Sequence, residues 1–180
     1  RLNIPWVLDP MAVGALSLRT RLAGQLKKQS PRIIRGNASE IMALAGYSSV
    51  TKGPESTSSS ADALHAAREL ALHTGAAVLV TGRTDYSTDG RQVTATENGH
   101  AMMSRVTGVG CSMGALSAAC AAVSPTPLQA AVSTAVLMGI AGEMAFEQSP
   151  SPGSFAVSLL DSLYALSPED VVRRARFLSL

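Results

Sequence analysis

Residues 107–114 read Thr-Gly-Val-Gly-Cys-Ser-Met-Gly and concentrate the groups best able to handle negative charge. Gly108 and Gly110, one residue apart, permit backbone angles that a side chain forbids, so the loop can come close to a ligand. The run at 115–123 is mostly alanine with leucine, which predicts a helix directly behind the loop. A glycine turn that opens a helix leaves N–H groups unpaired and pointing outward, and with the helix dipole these form an anion site. Cys111 stands at the mouth of that site, where the same N–H groups favour a thiolate. The chemistry is stabilisation of negative charge that develops during a reaction. The competing reading is a tight loop with a cysteine packed beneath it.

Three further groups stand where strands are expected to end. Trp6-Val7-Leu8 is a short apolar run closed by Asp9-Pro10, and Arg32-Ile33-Ile34-Arg35 is a second, broken by Gly36-Asn37. Residues 76–80 form a third, ending in Thr81-Gly82. In parallel sheets ligands bind at the carboxyl ends of strands, which makes Asp9 and Thr81 candidates. Thr81 could bond a phosphate oxygen, or it could serve only the turn. Asn37 and Glu40 have two readings as well. Their spacing is that of a capping box at the start of a helix over 38–45. An amide and one carboxylate facing a strand-end crevice would also hold Mg²⁺ through water beside phosphates.

The elements that must position these groups alternate. A helix over 18–28 carries Leu18, Leu22 and Leu26 on one face. A helix over 61–73, with Leu64, Ala67, Leu70 and Ala71 as its inner stripe, stops at Gly75. Between them, residues 47–60 are rich in Ser, Thr, Gly and Pro and read as a surface loop. Asp89-Gly90 between 85–87 and 92–96 signals a β-hairpin, and 102–106 is expected as one more short strand. Helices over 128–148 and 155–164 follow, and Ser167-Pro168 opens the last one. Strand–helix alternation followed by a hairpin predicts a mostly parallel α/β sheet, with helices on both faces and the antiparallel hairpin at its edge.

Composition limits the partners. The chain has 180 residues, 46% hydrophobic and 16% charged, which is too apolar for disorder and suits one domain over 1–180. A net charge of +2 offers no broad basic surface, and Arg173, Arg174 and Arg176 read as a solvated helix end rather than a nucleic-acid patch. Residues 128–146 are nearly long enough to span a bilayer, but Gln129, Glu143 and their many small residues fit a buried helix better, so no membrane association is expected. Cys111 and Cys120 lie nine positions apart on one helix, on opposite faces, and cannot bridge. Free thiols point to a reducing, cytoplasmic compartment. His65 and His73 are expected on a helix surface.

Asp9-Pro10-Met11-Ala12-Val13-Gly14, Arg35-Gly36-Asn37-Ala38-Ser39-Glu40, Val80-Thr81-Gly82 and Gly108-Val109-Gly110-Cys111, in this order and spacing, resemble the hydroxyethylthiazole kinases of the ribokinase-like fold. The resemblance runs through residues 85–90 and 152–155 to cover the whole chain. Related kinases carry an aspartate where this family, like this chain, has a cysteine. The resemblance implies phosphoryl transfer from ATP, with Mg²⁺, to the hydroxyl of hydroxyethylthiazole in thiamine salvage. By position, Cys111 would be catalytic, Arg35 and Thr81 would bind ATP, and Gly108 would contact the thiazole. Glu40 and Asn37 would serve Mg²⁺, in part through water. A homotrimer with sites at subunit boundaries is also implied. Val109 departs from the smaller residue more familiar there and narrows the loop. The family's domain is expected to begin before Arg1, so an N-terminal portion is expected to be missing. The alternatives are another small-alcohol kinase of the same fold and a non-catalytic nucleotide-binding remnant.

Overall fold

The computed structural model describes residues 4–47 and 60–180. Most of the Ser- and Pro-rich loop expected over 47–60 lies outside these. The described elements are β1 (Val7–Leu8), α1 (Ser17–Leu26), β2 (Ile33–Asn37), α2 (Ala38–Ala45), α3 (Leu64–Thr74), β3 (Ala77–Thr81), β4 (Asp85–Thr88), β5 (Val93–Thr96), α4 (Val109–Val123), α5 (Pro127–Gln148), α6 (Pro152–Ala165), α7 (Pro168–Arg174) and β6 (Phe177–Ser179). They form one sheet in the order β1-β2-β3-β4-β5-β6. The first three strands are parallel, with Ile33 opposite both Val7 and Ala77. The last three are antiparallel to their neighbours, so the sheet is mixed rather than mostly parallel, and β6 lies at its edge outside the β4–β5 hairpin.

Alternation along the parallel strands sends apolar side chains to both faces, as a doubly covered sheet requires. Ile34, Val78 and Val80 pack with α2 and α3 on one face. Ala77 and Leu79 pack with α5 and α6 on the other, and Ile33 meets α4 and α5. Ile33 and Ile34 are wholly buried, each stabilising the fold by about 2 kcal/mol. On α3 the buried stripe is Ala66, Ala67, Leu70 and Ala71, with Gly75 in the left-handed conformation as its C-cap. α5 meets the length and composition of a membrane span, yet most of it is buried against the sheet, α4 and α6.

Three further expectations change. The strand expected over 102–106 is a 3₁₀ turn, Ala101–Arg105, because the His100 Nδ1 accepts the Met102 N–H and starts a tight helix instead. The arginine cluster is not simply solvated: Arg174 grips Glu147 and Arg176 grips Glu143, while Arg173 stays exposed beside Asp170. These pairs lead into β6, an edge strand with exposed apolar side chains that carries no pattern of a buried strand. On α1, Leu18 and Leu22 are exposed, while Ala23 is buried and Leu26 packs half-buried against the core.

Candidate active site

The carboxyl ends of β1, β2 and β3 and the start of α4 meet at one end of the sheet. Asp9 follows β1, Arg35 lies on β2, and Thr81 ends β3, paired in register with Asn37. The Arg35 guanidinium donates from Nη1 to Asp9 Oδ2 at 3.1 Å. The Arg35 side chain is 12% exposed and that of Asp9 29%, so the pair is partly shielded from the solvent that weakens surface ion pairs. Two glycines one turn apart on α4 make room for it. A Cβ on Gly110 would stand 3.3 Å from both Arg35 terminal nitrogens, and one on Gly114 3.2 Å from Asp9 Oδ2. Burial pushes the Asp9 carboxyl up despite the neighbouring arginine, and the nearby Glu40 charge adds to the shift.

Glu40 is held from both sides. Its Oε1 accepts the Ala12 N–H at 3.0 Å and its Oε2 accepts the Asn37 N–H at 3.0 Å. Asn37 Oδ1 in turn accepts the Glu40 N–H at 2.9 Å, so the capping box is complete. It stabilises α2 by about 1 kcal/mol and ties α2 to the turn after β1. Each Glu40 oxygen keeps a second lone pair for a water. Among the described residues no three His, Cys, Asp or Glu side chains converge to hold a metal directly. The donor set therefore fits a cation bound through its own water shell, as Mg²⁺ often is.

α4 begins at Val109 with Gly108 as its N-cap, in the left-handed conformation at φ +97°. Cys111 thus belongs to the first helical turn and is exposed, while Cys120 is buried on the far side. Burial pushes the Cys120 thiol up. Gly108 is exposed, with open space around its Cα.

Arg35, Thr81 and Gly110 line a cleft of ≈ 970 Å³. Another wall is residues 97–101, 103 and 104, and its apolar lining includes Met103, Val106, Met113 and Met138. Cys111 and Gly108 lie outside that lining, at the exposed start of α4. Asp85, absent from the sequence-derived candidates, also lines the cleft. It accepts the Gly82 N–H through Oδ1 at 2.9 Å, and burial raises its pKa to about 6. The signal for it was its place three residues after Gly82, where an aspartate closes a turn. The Thr81 hydroxyl donates to the Gly36 carbonyl at 3.3 Å, which leaves its oxygen free to accept. A second cleft, ≈ 700 Å³ between Lys27, Lys28, Glu69 and His73, opens at the amino ends of the strands, away from all of these groups.

Comparison with known proteins agrees with the motifs. Residues 1–169 match the hydroxyethylthiazole kinase family. The chain is 99% identical over its whole length to a hydroxyethylthiazole kinase of Akkermansia muciniphila, of which it covers 66%. It is 54% identical over 162 residues to one from Granulibacter bethesdensis, covering 59% of that protein. The solved structure of a hydroxyethylthiazole kinase from Pyrococcus horikoshii superposes with a TM-score of 0.87 at 38% identity, over 98% of this chain and 65% of that one. The chain thus spans just under two thirds of the length of these relatives, and its mixed α/β sheet with helices is the ribokinase-like architecture expected from the motifs. By its match over 1–169, by its fold and by the strand-end motifs that meet around Arg35, the chain belongs to the hydroxyethylthiazole kinase family.

Proposed function

We propose that the protein transfers the terminal phosphoryl group of ATP to the hydroxyl of 4-methyl-5-(2-hydroxyethyl)thiazole, as a step toward thiamine phosphate. Residues 1–180 act as one kinase domain in this reading. The observation that carries it is the Arg35 guanidinium. It spends one hydrogen bond on Asp9, its Nε is buried without a partner among the described residues, and it lines the cleft beside Thr81. A guanidinium with donors to spare suits a phosphate chain.

Phosphoryl transfer needs positioning and charge neutralisation more than covalent chemistry. Arg35 and the Thr81 hydroxyl bind the phosphates of ATP. The N–H groups of residues 108–112 meet charge that develops on the transferred group. Gly108, which lacks a side chain, lets the thiazole approach the backbone. Cys111 orients the alcohol and takes its proton. Glu40 and Asn37 order waters for Mg²⁺, which when bound neutralises phosphate charge. The protein works in the cytoplasm, as a homotrimer.

The test is a coupled assay on the intact protein with the thiazole alcohol, a pyrimidine alcohol and a sugar, with Arg35→Ala and Glu40→Gln beside the parent. We expect turnover of the thiazole alcohol only. Arg35→Ala should raise the apparent ATP constant by about tenfold or more and change the alcohol constant little. Glu40→Gln can keep the helix cap through its one amide oxygen, giving up the bond from the Ala12 N–H, and should raise the Mg²⁺ requirement. Equal turnover of the sugar would move the protein to another kinase class. An unchanged Mg²⁺ response in Glu40→Gln would leave Glu40 as a cap alone.

A further inference from the structure

The segment 97–104 that lines the cleft with Arg35 is tied to α5 by a largely buried carboxylate. Glu143, on the inner part of α5, is only 15% exposed. Its Oε1 accepts the Gly99 N–H at 2.8 Å, Asn98 Nδ2 at 3.1 Å and Arg176 Nη2 at 2.5 Å, and its Oε2 accepts Arg176 Nη1 at 3.4 Å. Asn98 joins the same knot from the other side. Its Nδ2 donates to the Arg174 carbonyl at 2.9 Å, and its Oδ1 accepts the Arg176 N–H at 2.7 Å. The amide side chain thus pairs with the backbone on either side of Ala175, as a neighbouring strand would. The Glu97 N–H continues the pairing, donating to the Arg176 carbonyl at 2.9 Å.

The knot pulls the wall onto α5. A Cβ on Gly139 would stand 2.5 Å from Asn98 Cβ and 2.7 Å from its carbonyl carbon. Met103 lies over Gly142 in the same way. His100, which starts the 3₁₀ turn, stacks on Phe146 of α5 with ring centroids 3.6 Å apart. Asn98, Gly99, His100 and Met103 are wall residues of the ≈ 970 Å³ cleft. Arg176 lies past residue 169, where the family match ends.

We propose that Glu143, Asn98 and Arg176 are positioning residues for ATP, so that the segment after α7 sets nucleotide affinity although it touches no ligand. This rests on the kinase reading above. Arg35 and Thr81 share this cleft with the wall, whereas Gly108 and Cys111 lie outside it. A wall that shifts therefore alters the nucleotide and leaves the alcohol alone.

The experiment measures both substrate constants, and ATP binding by calorimetry, for Glu143→Gln, Arg176→Ala and Arg176→Lys in the intact protein. Amide exchange of residues 97–105 and 33–37 is followed beside them. Glu143→Gln and Arg176→Ala should each raise the ATP constant about fivefold, with kcat and the alcohol constant within about twofold. Arg176→Lys keeps one charged donor and should recover most of the loss. Exchange should quicken in 97–105 and stay unchanged in 33–37. An unmoved ATP constant, or both substrate constants rising together with a fall in Tm, would overturn the proposal. A parent that neither binds ATP nor transfers phosphate would sink the kinase reading instead. The ATP role falls with it, and exchange then decides only whether the knot holds the wall: quickening confined to 97–105 shows that it does, and unchanged exchange that it does not.

Discussion

Gly110 and Gly114 let Arg35 and Asp9 lie close beneath α4, where a Cβ at either would press on one partner of the pair at 3.2–3.3 Å. Helix residues four apart share a face, so the two gaps lie side by side, and each receives one partner of the ion pair. A glycine motif read as a phosphate loop therefore has a second use, the seating of an arginine. Cys111, one residue along, points away from this groove and is exposed, whereas Cys120 is buried with its thiol pushed up. Iodoacetamide should therefore modify Cys111 at least about tenfold faster than Cys120. The thiazole alcohol should shield Cys111. Cys111→Ser should lose turnover and keep ATP binding, while Cys111→Asp should stay active, since related kinases use that base. If Cys111→Ser and Cys111→Ala both turn over like the parent, the thiol has no part in the chemistry.

At the scale of elements, α5 is the scaffold, and its small residues are what let other segments lie on it. Gly139 is the critical one. The atoms that a Cβ there would strike belong largely to the Asn98 backbone, which is held by the next N–H, of Gly99, on Glu143 and by the Asn98 side chain, bonded to Glu143 and Arg174. A backbone so fixed cannot step aside. Gly139→Ala should therefore destabilise the protein by about 1–3 kcal/mol in urea unfolding, despite alanine's better helix propensity. A midpoint equal to or above the parent's would show that the 97–99 segment is free to move. The same segment explains why residues 102–106 form a 3₁₀ turn and not a strand. Their alternation is compatible with β-structure, but Gly142 and Phe146 on α5 offer Met103 and His100 better contacts than a sheet edge already taken by β6.

For the molecule as a whole, Asp85 writes itself into the stability curve. Folded, it keeps its proton up to about pH 6, against an ordinary value of 3.8, because burial disfavours the carboxylate. A raised folded pKa means that the stabilisation is full below the unfolded value and is lost as pH rises through the folded one. Asp85→Asn keeps the oxygen that accepts the Gly82 N–H and never ionises. It should thus be more stable than the parent near pH 7.5, by on the order of 1 kcal/mol, and match it below about pH 4. Thermal unfolding at the two pH values decides this. A gain of equal size at both would mean that ionisation is not the cause.

Local chemistry made much of this protein legible in its sequence. Short β-branched runs, glycine stops, Asp89-Gly90 and the capping box at Asn37 and Glu40 act within a few residues of one another, so they marked the strands, the helix ends and the hairpin in advance. The strand-end motifs likewise named Arg35, Thr81 and the start of α4, because parallel topology brings such ends together. What only the tertiary structure decided depends on distant partners. The Arg35–Asp9 pair spans 26 positions, the Glu143–Arg176 pair 33, and the Asn98 bond to Arg176 78. No spacing rule encodes these, since they follow from which helix face meets which strand end. β6 is the clearest case. Phe177, Leu178 and Ser179 have no buried alternation of their own, and they become a strand because β5 leaves an edge to pair and the arginines before them are already anchored to α5.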